Sequence, residues 1–215
     1  MVKLGKATEI LKEQLKKDYI KTNGSEKGFE QYLVGFESSS LKNELPDLAK
    51  KMINIPAPPF SLNDIKGNSI SSNDLKGKIV ILDFWATWCG PCRASFPGMQ
   101  LAVNKYKDDP DVKFLFVDSW ENGDNYLEGV KKFINDNKYS FNVLMDEKGK
   151  DGRQSKVGSS FGVSSIPTKF IIDKIGNIRF AITGAPDTPQ ETLAEITNMI
   201  ALVKSGLASI PVSIK

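Results

Sequence analysis

The sequence predicts an α/β fold built around a mixed central sheet, and three observations support this prediction. From residue 60 onward, short apolar segments alternate with amphipathic helical segments, which is typical of strands joined by helices. Residues 79–85 form an almost unbroken apolar run, as expected for a strand that is covered on both faces. Two later strands flank the short turn at 174–177, so the sheet should contain antiparallel as well as parallel pairs.

The predicted elements begin with a small hairpin, in which strands at 60–62 and 69–71 flank the turn residues Lys66-Gly67-Asn68. The elements that follow are a strand at 79–85, a helix at 91–106, a strand at 112–117, a helix at 125–137, a strand at 141–145, a weak helix at 154–161, strands at 168–172 and 178–182, and a helix from 189.

The last of these helices has the clearest start signal. Thr188 can cap it, Pro189 suits its first turn, and Glu191 completes a capping box. Gly206 can close it at the other end. The apolar side chains that we expect this helix to bury are Leu193, Ile196, Ile200 and Val203.

Residues 1–53 have a different pattern, with apolar side chains at helical spacing in the stretches 7–19, 29–36 and 45–52. Such helices need a surface to bury against, so we expect them to dock on the main domain, as an extension of its core or as a docking site for a partner. The proline-rich stretch after residue 54 should be an extended linker. The predicted organisation is therefore a helical extension and linker (1–55), an α/β domain (56–206) and a C-terminal tail (207–215).

Charge and composition narrow the range of partners. The net charge of +3, without a dense Lys/Arg tract, argues against nucleic acid. No stretch approaches the roughly 18 apolar residues of a membrane span, so we expect that membrane attachment is not encoded in this chain. The N-terminal residues lack the apolar core of a secretory signal, so the chain is expected to be cytoplasmic or to have lost an export signal.

The chain contains two cysteines and no histidine. The lack of histidine removes imidazole metal ligands and every catalytic mechanism that needs an imidazole base. Two cysteines are too few for a four-thiolate zinc site, so we expect no metal. We also expect no organic cofactor, because two cysteines three residues apart are well suited to redox chemistry by themselves.

Cys89 and Cys92 follow the 79–85 strand and lie where the next helix begins. Unpaired N–H groups and the positive end of the helix dipole stabilise a thiolate at such a position. In Cys-x-x-Cys sites this lowers the thiol pKa from about 8.5 to roughly 3.5–7.5. Cys92 lies one turn deeper, so we predict that Cys89 attacks a substrate disulfide and Cys92 resolves the mixed disulfide.

The residues around the two cysteines fit this role. Gly90 adds little bulk beside an incoming sulfur, and Pro91 occupies a first-turn position where its missing N–H costs nothing. Trp88 is the expected aromatic contact for the substrate, whereas Trp85 is expected in the core. Trp120 and Glu121 follow a strand end, where α/β proteins often place functional loops.

The stretch Asp83-Phe84-Trp85-Ala86-Thr87-Trp88-Cys89-Gly90-Pro91-Cys92 resembles the active-site segment of the thioredoxin superfamily. Two upstream segments, Pro59-Phe60-Ser61-Leu62 and Leu75-Lys76-Gly77-Lys78, resemble its bacterial membrane-associated and periplasmic branch of TlpA-like and redoxin-type proteins. The block at 125–145 resembles the central insertion of that branch. The resemblance covers residues 56–206 and implies a thioredoxin-like fold with an N-terminal β-hairpin and a central αβ insertion, to which residues 1–53 add an extra helical segment.

The resemblance also implies further site residues. The loop 162–168 is similar to the one that holds a cis-proline opposite the cysteines, which would make Pro167 cis. In relatives the backbone before this proline, here that of Ile166, pairs with the bound substrate strand. Asp83 matches an aspartate that serves the second cysteine in proton transfer, and its place in an apolar strand should favour its protonated form.

Two departures from the family pattern concern proton transfer. Some TlpA-like reductases carry a glutamate three residues after the second cysteine, where this chain has Ser95. The lysine that pairs with the buried aspartate in thioredoxins is matched by Phe114, and Lys113 should point to the other face of the strand. Asp83 is therefore expected to act alone.

The sequence predicts a thiol–disulfide oxidoreductase that reduces protein disulfides, because the Gly-Pro dipeptide resembles that of reducing thioredoxins. Its expected partners are protein thiol or disulfide substrates and a thiol protein that donates electrons. The resemblance favours a periplasmic or cell-envelope location. The alternatives are the oxidase or isomerase direction, a peroxiredoxin-like peroxidase, and a non-catalytic redox-sensing module that binds partners.

Overall fold

A computed structural model describes residues 24–29, 48–123, 125–147 and 156–206, together with the single residues 13, 16, 17 and 20. The strands are β1 (Ile55–Pro56), β2 (Ser61–Asp64), β3 (Ser69–Ser71), β4 (Ile79–Trp85), β5 (Val112–Asp118), β6 (Val143–Met145), β7 (Thr168–Ile172) and β8 (Asn177–Thr183). The complete helices are α1 (Gly90–Tyr106), α2 (Tyr126–Asp136), α3 (Lys156–Ser160) and α4 (Pro189–Lys204). Within these ranges, none of the helices is long and apolar enough to cross a bilayer.

The strands form one sheet in the order β1-β8-β7-β4-β5-β6-β2-β3. The pairs β4–β5 and β5–β6 are parallel, and the other neighbouring pairs are antiparallel. The predicted mixed sheet is therefore confirmed. The carboxyl end of β4 lies in the middle of the sheet, which places the residues that follow it at the centre of one edge.

Strand β4 is buried along its whole length, as its apolar run predicts. Its alternate residues contribute to two core clusters on opposite faces of the sheet. Ile81 and Trp85 belong to the larger cluster, which includes side chains of α1, α2 and α4. Leu82 and Phe84 belong to the smaller cluster, which is covered by α3 and the segment before β2. Asp83 lies between Ile81 and Trp85 in this alternation, so it faces the layer that contains α1.

Helix α1 is fixed in this layer by close packing on two sides. Gly98 lies against α4, where an added Cβ would meet the Thr192 Cβ at 2.5 Å. Only a glycine allows this approach. On the other side Phe96 lies within an aromatic cluster, whose remaining members are Trp85, Phe116, Phe133, Tyr139 and Phe141. The insertion 125–145 supplies three of these rings, so it supports the helix that begins at the cysteines.

The last helix begins with the capping box that the sequence predicts. The Thr188 hydroxyl accepts a hydrogen bond from the Glu191 N–H, and the Glu191 carboxylate accepts one from the Thr188 N–H. Of the four side chains expected to be buried on this helix, Leu193 is only partly buried. Several other residues of α4 are also buried, because the helix packs against α1 as well as the sheet.

The segment before the hairpin is extended, as predicted, but it is part of the sheet. Ile55 pairs with Ile178 and Pro56 with Asn177, so β1 is the edge strand beside β8. An edge position accommodates Pro56, since an edge strand needs ladder hydrogen bonds on one side only. Most of residues 1–47, with the predicted helices at 7–19 and 29–36, lie outside the described residues. Phe29 and Met52 are buried in the larger core cluster, and residues 48–50 are helical.

Candidate active site

The two cysteines lie at the start of α1 and form a disulfide with a Cα–Cα distance of 5.3 Å. Cys89 is the N-cap residue, and its Sγ accepts a hydrogen bond from the Cys92 N–H at 3.2 Å. The first turn of α1 carries no acidic side chain. The positive end of the helix dipole therefore acts on the Cys89 sulfur without opposition from within its own helix.

The surface around the disulfide is formed by its neighbours in the chain. Trp88 is 51% exposed, and Gly90 and Pro91 are exposed as well. In the disulfide form both cysteines are buried, Cys92 completely and Cys89 to all but 3%. The predicted difference in shielding is thus small in this state. A partner would meet Trp88, Gly90 and Pro91 before it reaches the sulfur of Cys89.

The loop before β7 lies at the same edge of the sheet. The Ile166–Pro167 peptide bond is cis, which is the geometry that the family resemblance implies. β7 pairs antiparallel with β4, with Thr168 opposite Phe84, so Pro167 adjoins the end of β4 from which the chain runs to Cys89. Ile166 is partly buried and packs against the core cluster that contains both cysteines. The structure therefore places Ile166 and Pro167 at the same edge of the sheet as the disulfide.

Asp83 lies in the middle of β4 and is completely buried. It faces the layer that contains α1, the helix that begins at the cysteines. Burial raises the pKa of its carboxyl from 3.8 to about 6, and the charge of Lys169 opposes that rise. The carboxyl can therefore gain and lose a proton within the range in which thiol exchange takes place.

The expectation that Asp83 acts alone is wrong. Lys169 on β7 lies directly opposite Asp83 in the β4–β7 pairing, and its Nζ is 3.7 Å from the Asp83 Oδ1. Both side chains are 1% exposed. The prediction failed because it looked for the lysine on β5, where Asp83 faces Phe116, and not on β7. A lysine within the apolar strand 168–172 was the available signal.

One further side chain of α1, that of Ser95, bears on the sequence predictions. Ser95 is buried, and its hydroxyl donates to the Cys92 carbonyl at 2.8 Å, so this position holds a helix hydrogen bond and no carboxylate. Arg93 is exposed, with its guanidinium 5.6 Å from the centre of the Phe133 ring. Trp85 is completely buried, as predicted, and stacks edge to face on Phe96.

A second group of acids lies after β5, beside the turn that leads to Cys89. The Glu121 carboxylate accepts hydrogen bonds from the Thr87 N–H and, at 2.8 Å, from the Thr87 hydroxyl. Burial, followed by the charge of Glu121, raises the pKa of Asp118 to about 10. Asp146 accepts hydrogen bonds from the N–H groups of Val157 and Gly158. Sequence analysis singled out Glu121 by its position but gave no role to Asp118.

Comparison with known proteins identifies the family. Residues 53–181 match the model of the AhpC/TSA family, which is more than half of the chain. The chain belongs to this family. Its relatives include the thiol-disulfide oxidoreductase ResA of Bacillus thuringiensis (strain Al Hakam), 38% identical over 138 residues that cover 64% of this chain and 73% of that protein.

Solved structures agree with this membership. A putative thiol:disulfide interchange protein DsbE from Chlorobium tepidum is 31% identical, with a TM-score of 0.57 over 70% of this chain and 96% of that one. StoA from Bacillus subtilis is 28% identical, with a TM-score of 0.52 over 65% of this chain and 97% of that one. The thioredoxin-like fold is thus confirmed. So is the class of activity: this AhpC/TSA family member is a thiol–disulfide oxidoreductase that carries a Cys89–Cys92 disulfide.

Proposed function

We propose that this protein reduces disulfide bonds in other proteins by dithiol exchange. The observation that carries the proposal is the Cys89–Cys92 pair at the N-terminus of α1. The ion pair between Asp83 on β4 and Lys169 on β7 is buried in the sheet that this helix packs against. An exposed rim around a nearly buried sulfur suits a large substrate, which can dock before its disulfide is attacked. The Gly-Pro dipeptide between the cysteines supports the reducing direction through its resemblance to thioredoxins.

The reaction proceeds in two exchanges. In the dithiol form, the Cys89 thiolate attacks one sulfur of the substrate disulfide, the substrate S–S bond breaks, and one substrate thiolate leaves. Cys92 then loses its proton and attacks the Cys89 sulfur, which breaks the mixed disulfide and releases the second substrate thiolate. Two electrons pass to the substrate, whose thiolates take up protons, and the protein is left with its disulfide. A separate dithiol protein must then reduce it.

Asp83 is the proposed acceptor of the Cys92 proton. A carboxyl with a pKa of about 6 is mostly ionised at neutral pH and can act as a base. Its side chain faces the layer that contains Cys92. Lys169 has a supporting role. Its positive charge lies beside Asp83 and favours the ionised form of this buried carboxyl.

The substrate surface is proposed to comprise Trp88, Gly90, Pro91 and the loop at Ile166 and Pro167. Within the part of the chain that the structure describes, the backbone of Ile166 makes no hydrogen bond. It is therefore available to pair with an extended segment of the substrate, as in strand addition.

Protein disulfides form and persist mainly in oxidising compartments, where a disulfide reductase has stable substrates. We therefore propose a location in the bacterial periplasm or cell envelope, in line with the family branch that its motifs resemble. Recovery of the natural full-length protein in a periplasmic fraction would support this location, and its recovery in the cytosol would contradict it.

The central experiment compares the wild type with Cys89→Ser and Cys92→Ser in the reduction of insulin disulfides by dithiothreitol. The wild type should accelerate the reaction, and both variants should fall to the uncatalysed rate because each lacks half of the dithiol. Cys92→Ser should also accumulate a reducible adduct with the substrate through Cys89, which intact-mass spectrometry detects. A Cys89→Ser variant that keeps the activity would refute the proposal.

The direction of the reaction is tested separately by the reduction potential. Equilibration with glutathione buffers should give a value near that of reducing thioredoxins, about −270 mV, and not that of the oxidant DsbA, about −120 mV. A value near the latter would reverse the direction. A hydrogen peroxide consumption assay under the same conditions tests the peroxidase alternative, for which we expect no rate above that of free dithiothreitol.

A further inference from the structure

Two turns meet beside the disulfide, one after β4 and one after β5. The parallel pairing of these strands ends with Trp85 opposite Asp118, and the Ser119 N–H then donates to the Trp85 carbonyl at 2.8 Å. After these residues the two strands end, and one segment continues to Cys89 while the other continues to α2. The turn of residues 119–121 is the direct neighbour of Thr87 and Trp88.

Trp120 adopts a backbone conformation that a bulky residue rarely occupies. Its φ is 62°, in the left-handed region that favours glycine. In this conformation its carbonyl accepts a hydrogen bond of 2.8 Å from the Trp88 indole N–H. Non-glycine residues persist in this region only where their surroundings hold them, and such positions cluster at functional sites. Here the turn orients the exposed aromatic side chain next to Cys89.

Glu121 holds the same turn from the other side. It is only 6% exposed, and its two carboxylate oxygens accept from the backbone N–H and the hydroxyl of Thr87. Thr87 immediately precedes Trp88, so the neighbours Trp120 and Glu121 bind two successive residues of the active-site turn. A glutamine can keep both contacts only as neutral hydrogen bonds, because its Oε1 can accept from the Thr87 N–H while its Nε2 donates to the Thr87 hydroxyl.

We infer that the Trp120 carbonyl and the Glu121 carboxylate are positioning groups that hold Thr87 and Trp88 so that the Trp88 indole is presented to a protein substrate. Neither group touches the reacting sulfurs, so their effect must pass through Trp88. This inference rests on the proposed function and adds a determinant of substrate affinity to it. It predicts a defect in substrate binding and not in the exchange chemistry.

The test is Glu121→Gln in insulin reduction, with Glu147→Gln as the control at an exposed glutamate of the same charge. Replacing the carboxylate with a neutral amide weakens both hydrogen bonds to Thr87, which should raise KM for insulin about tenfold while kcat changes by less than about twofold. Thr87→Val, which removes the hydroxyl alone, should raise KM by less. Thr87→Ser retains both donors and should restore the wild-type KM.

A double-mutant comparison with Trp88 distinguishes a positioning role of Glu121 from a general loss of structure. If Glu121 acts through the indole, Glu121→Gln should have little further effect on KM in a Trp88→Phe background. An unchanged KM in Glu121→Gln overturns the inference. The same conclusion follows if Glu121→Gln raises KM equally in the wild-type and Trp88→Phe backgrounds. It also follows if kcat falls in parallel for insulin and for oxidised glutathione. If Glu121→Gln does not fold, the Thr87→Val and Thr87→Ser pair decides by the same criteria. A wild type that fails to reduce insulin would instead refute the proposed function.

Discussion

Asp83 and Asp118 are two buried acids on neighbouring strands, and their surroundings give them opposite properties. Both face the layer of the sheet that contains α1, and their exposures are 0% and 2%. The positive charge of Lys169 on the next strand lies beside Asp83. Asp118 instead has the carboxylates of Glu121 and Asp146 as its charged neighbours. The pKa is about 6 for Asp83 and about 10 for Asp118.

The difference shows that burial alone does not determine what a buried acid can do. Desolvation raises the pKa of both carboxyls, but a cation limits the rise at Asp83 and two anions increase it at Asp118. Asp83 can therefore exchange a proton near neutral pH. Asp118 keeps its proton and stays a neutral hydrogen-bonding group beside Glu121. In the proposed mechanism Asp83 accepts a proton, whereas Asp118 lies beside Glu121, the proposed positioning group.

The largest expected effect is on how stability depends on pH in Asp83→Asn. The folded protein binds the Asp83 proton more tightly than the unfolded chain does, because the pKa is about 6 in one and 3.8 in the other. Wild-type stability should therefore fall as the pH rises from about 4 through about 6, by about 3 kcal/mol in total. Asp83→Asn lacks this loss, so its free energy of unfolding should equal that of the wild type near pH 4 and exceed it at pH 8.

Urea unfolding of the disulfide form at several pH values from 4 to 8 measures this difference. The disulfide form is used because neither cysteine then titrates. A difference between the variant and the wild type that stays constant from pH 4 to 8 would show that Asp83 does not have a raised pKa. The contrast with Asp118 would then disappear.

The next effect concerns Lys169→Met and the pH profile of disulfide exchange. Without the neighbouring cation, the pKa of Asp83 should rise by roughly 1–3. Less of the carboxylate is then present at pH 7, and the resolution of the mixed disulfide should slow by about twofold for a rise of 1 and by about ninetyfold for a rise of 3. The acidic limb of the profile should move to higher pH, and Asp83→Asn, which has no such carboxyl, should lose that limb. Stopped-flow measurement of resolution from pH 5 to 9 tests both.

Lys113→Met is the matched control, since Lys113 is an exposed lysine on β5. Its profile should coincide with that of the wild type. If Lys169→Met also coincides with the wild type, Lys169 does not tune the site. An Asp83→Asn rate equal to that of the wild type from pH 6 to 9 would remove Asp83 from the mechanism.

The sequence predicted what depends on neighbours in the chain. Cys89 at a helix start, the disulfide spacing to Cys92 and the capping box of Thr188 and Glu191 all follow from residues a few positions apart. The apolar run of β4 also predicted its central place, because only a strand covered on both faces needs such a run. The fold and the reactive cysteines can therefore be predicted from the sequence.

What escaped prediction depends on strands that meet only in the fold. Lys169 pairs with Asp83 because β7 returns antiparallel to β4, a contact that no local pattern specifies. In the same way, the sequence predicts a linker after residue 54, although Ile55 and Pro56 pair with β8 and form an edge strand. Asp118 became significant only once Glu121 and Asp146 were seen beside it. A charged residue inside an apolar strand indicates that a polar or charged partner lies on a neighbouring strand or loop.

The smallest expected effect is that of Asp118→Asn. This variant tests directly whether Asp118, unlike Asp83, stays protonated at neutral pH. Since Asp118 holds its proton up to a pKa of about 10, replacing its neutral carboxyl with a neutral amide changes no charge between pH 4 and 8. The amide can also donate a hydrogen bond to Glu121, as the protonated acid does. The free energy of unfolding should therefore differ from that of the wild type by less than about 1 kcal/mol, with no dependence on pH. A difference that grows with pH over this range would instead mean that Asp118 ionises there, in which case the two acids would differ in degree and not in role.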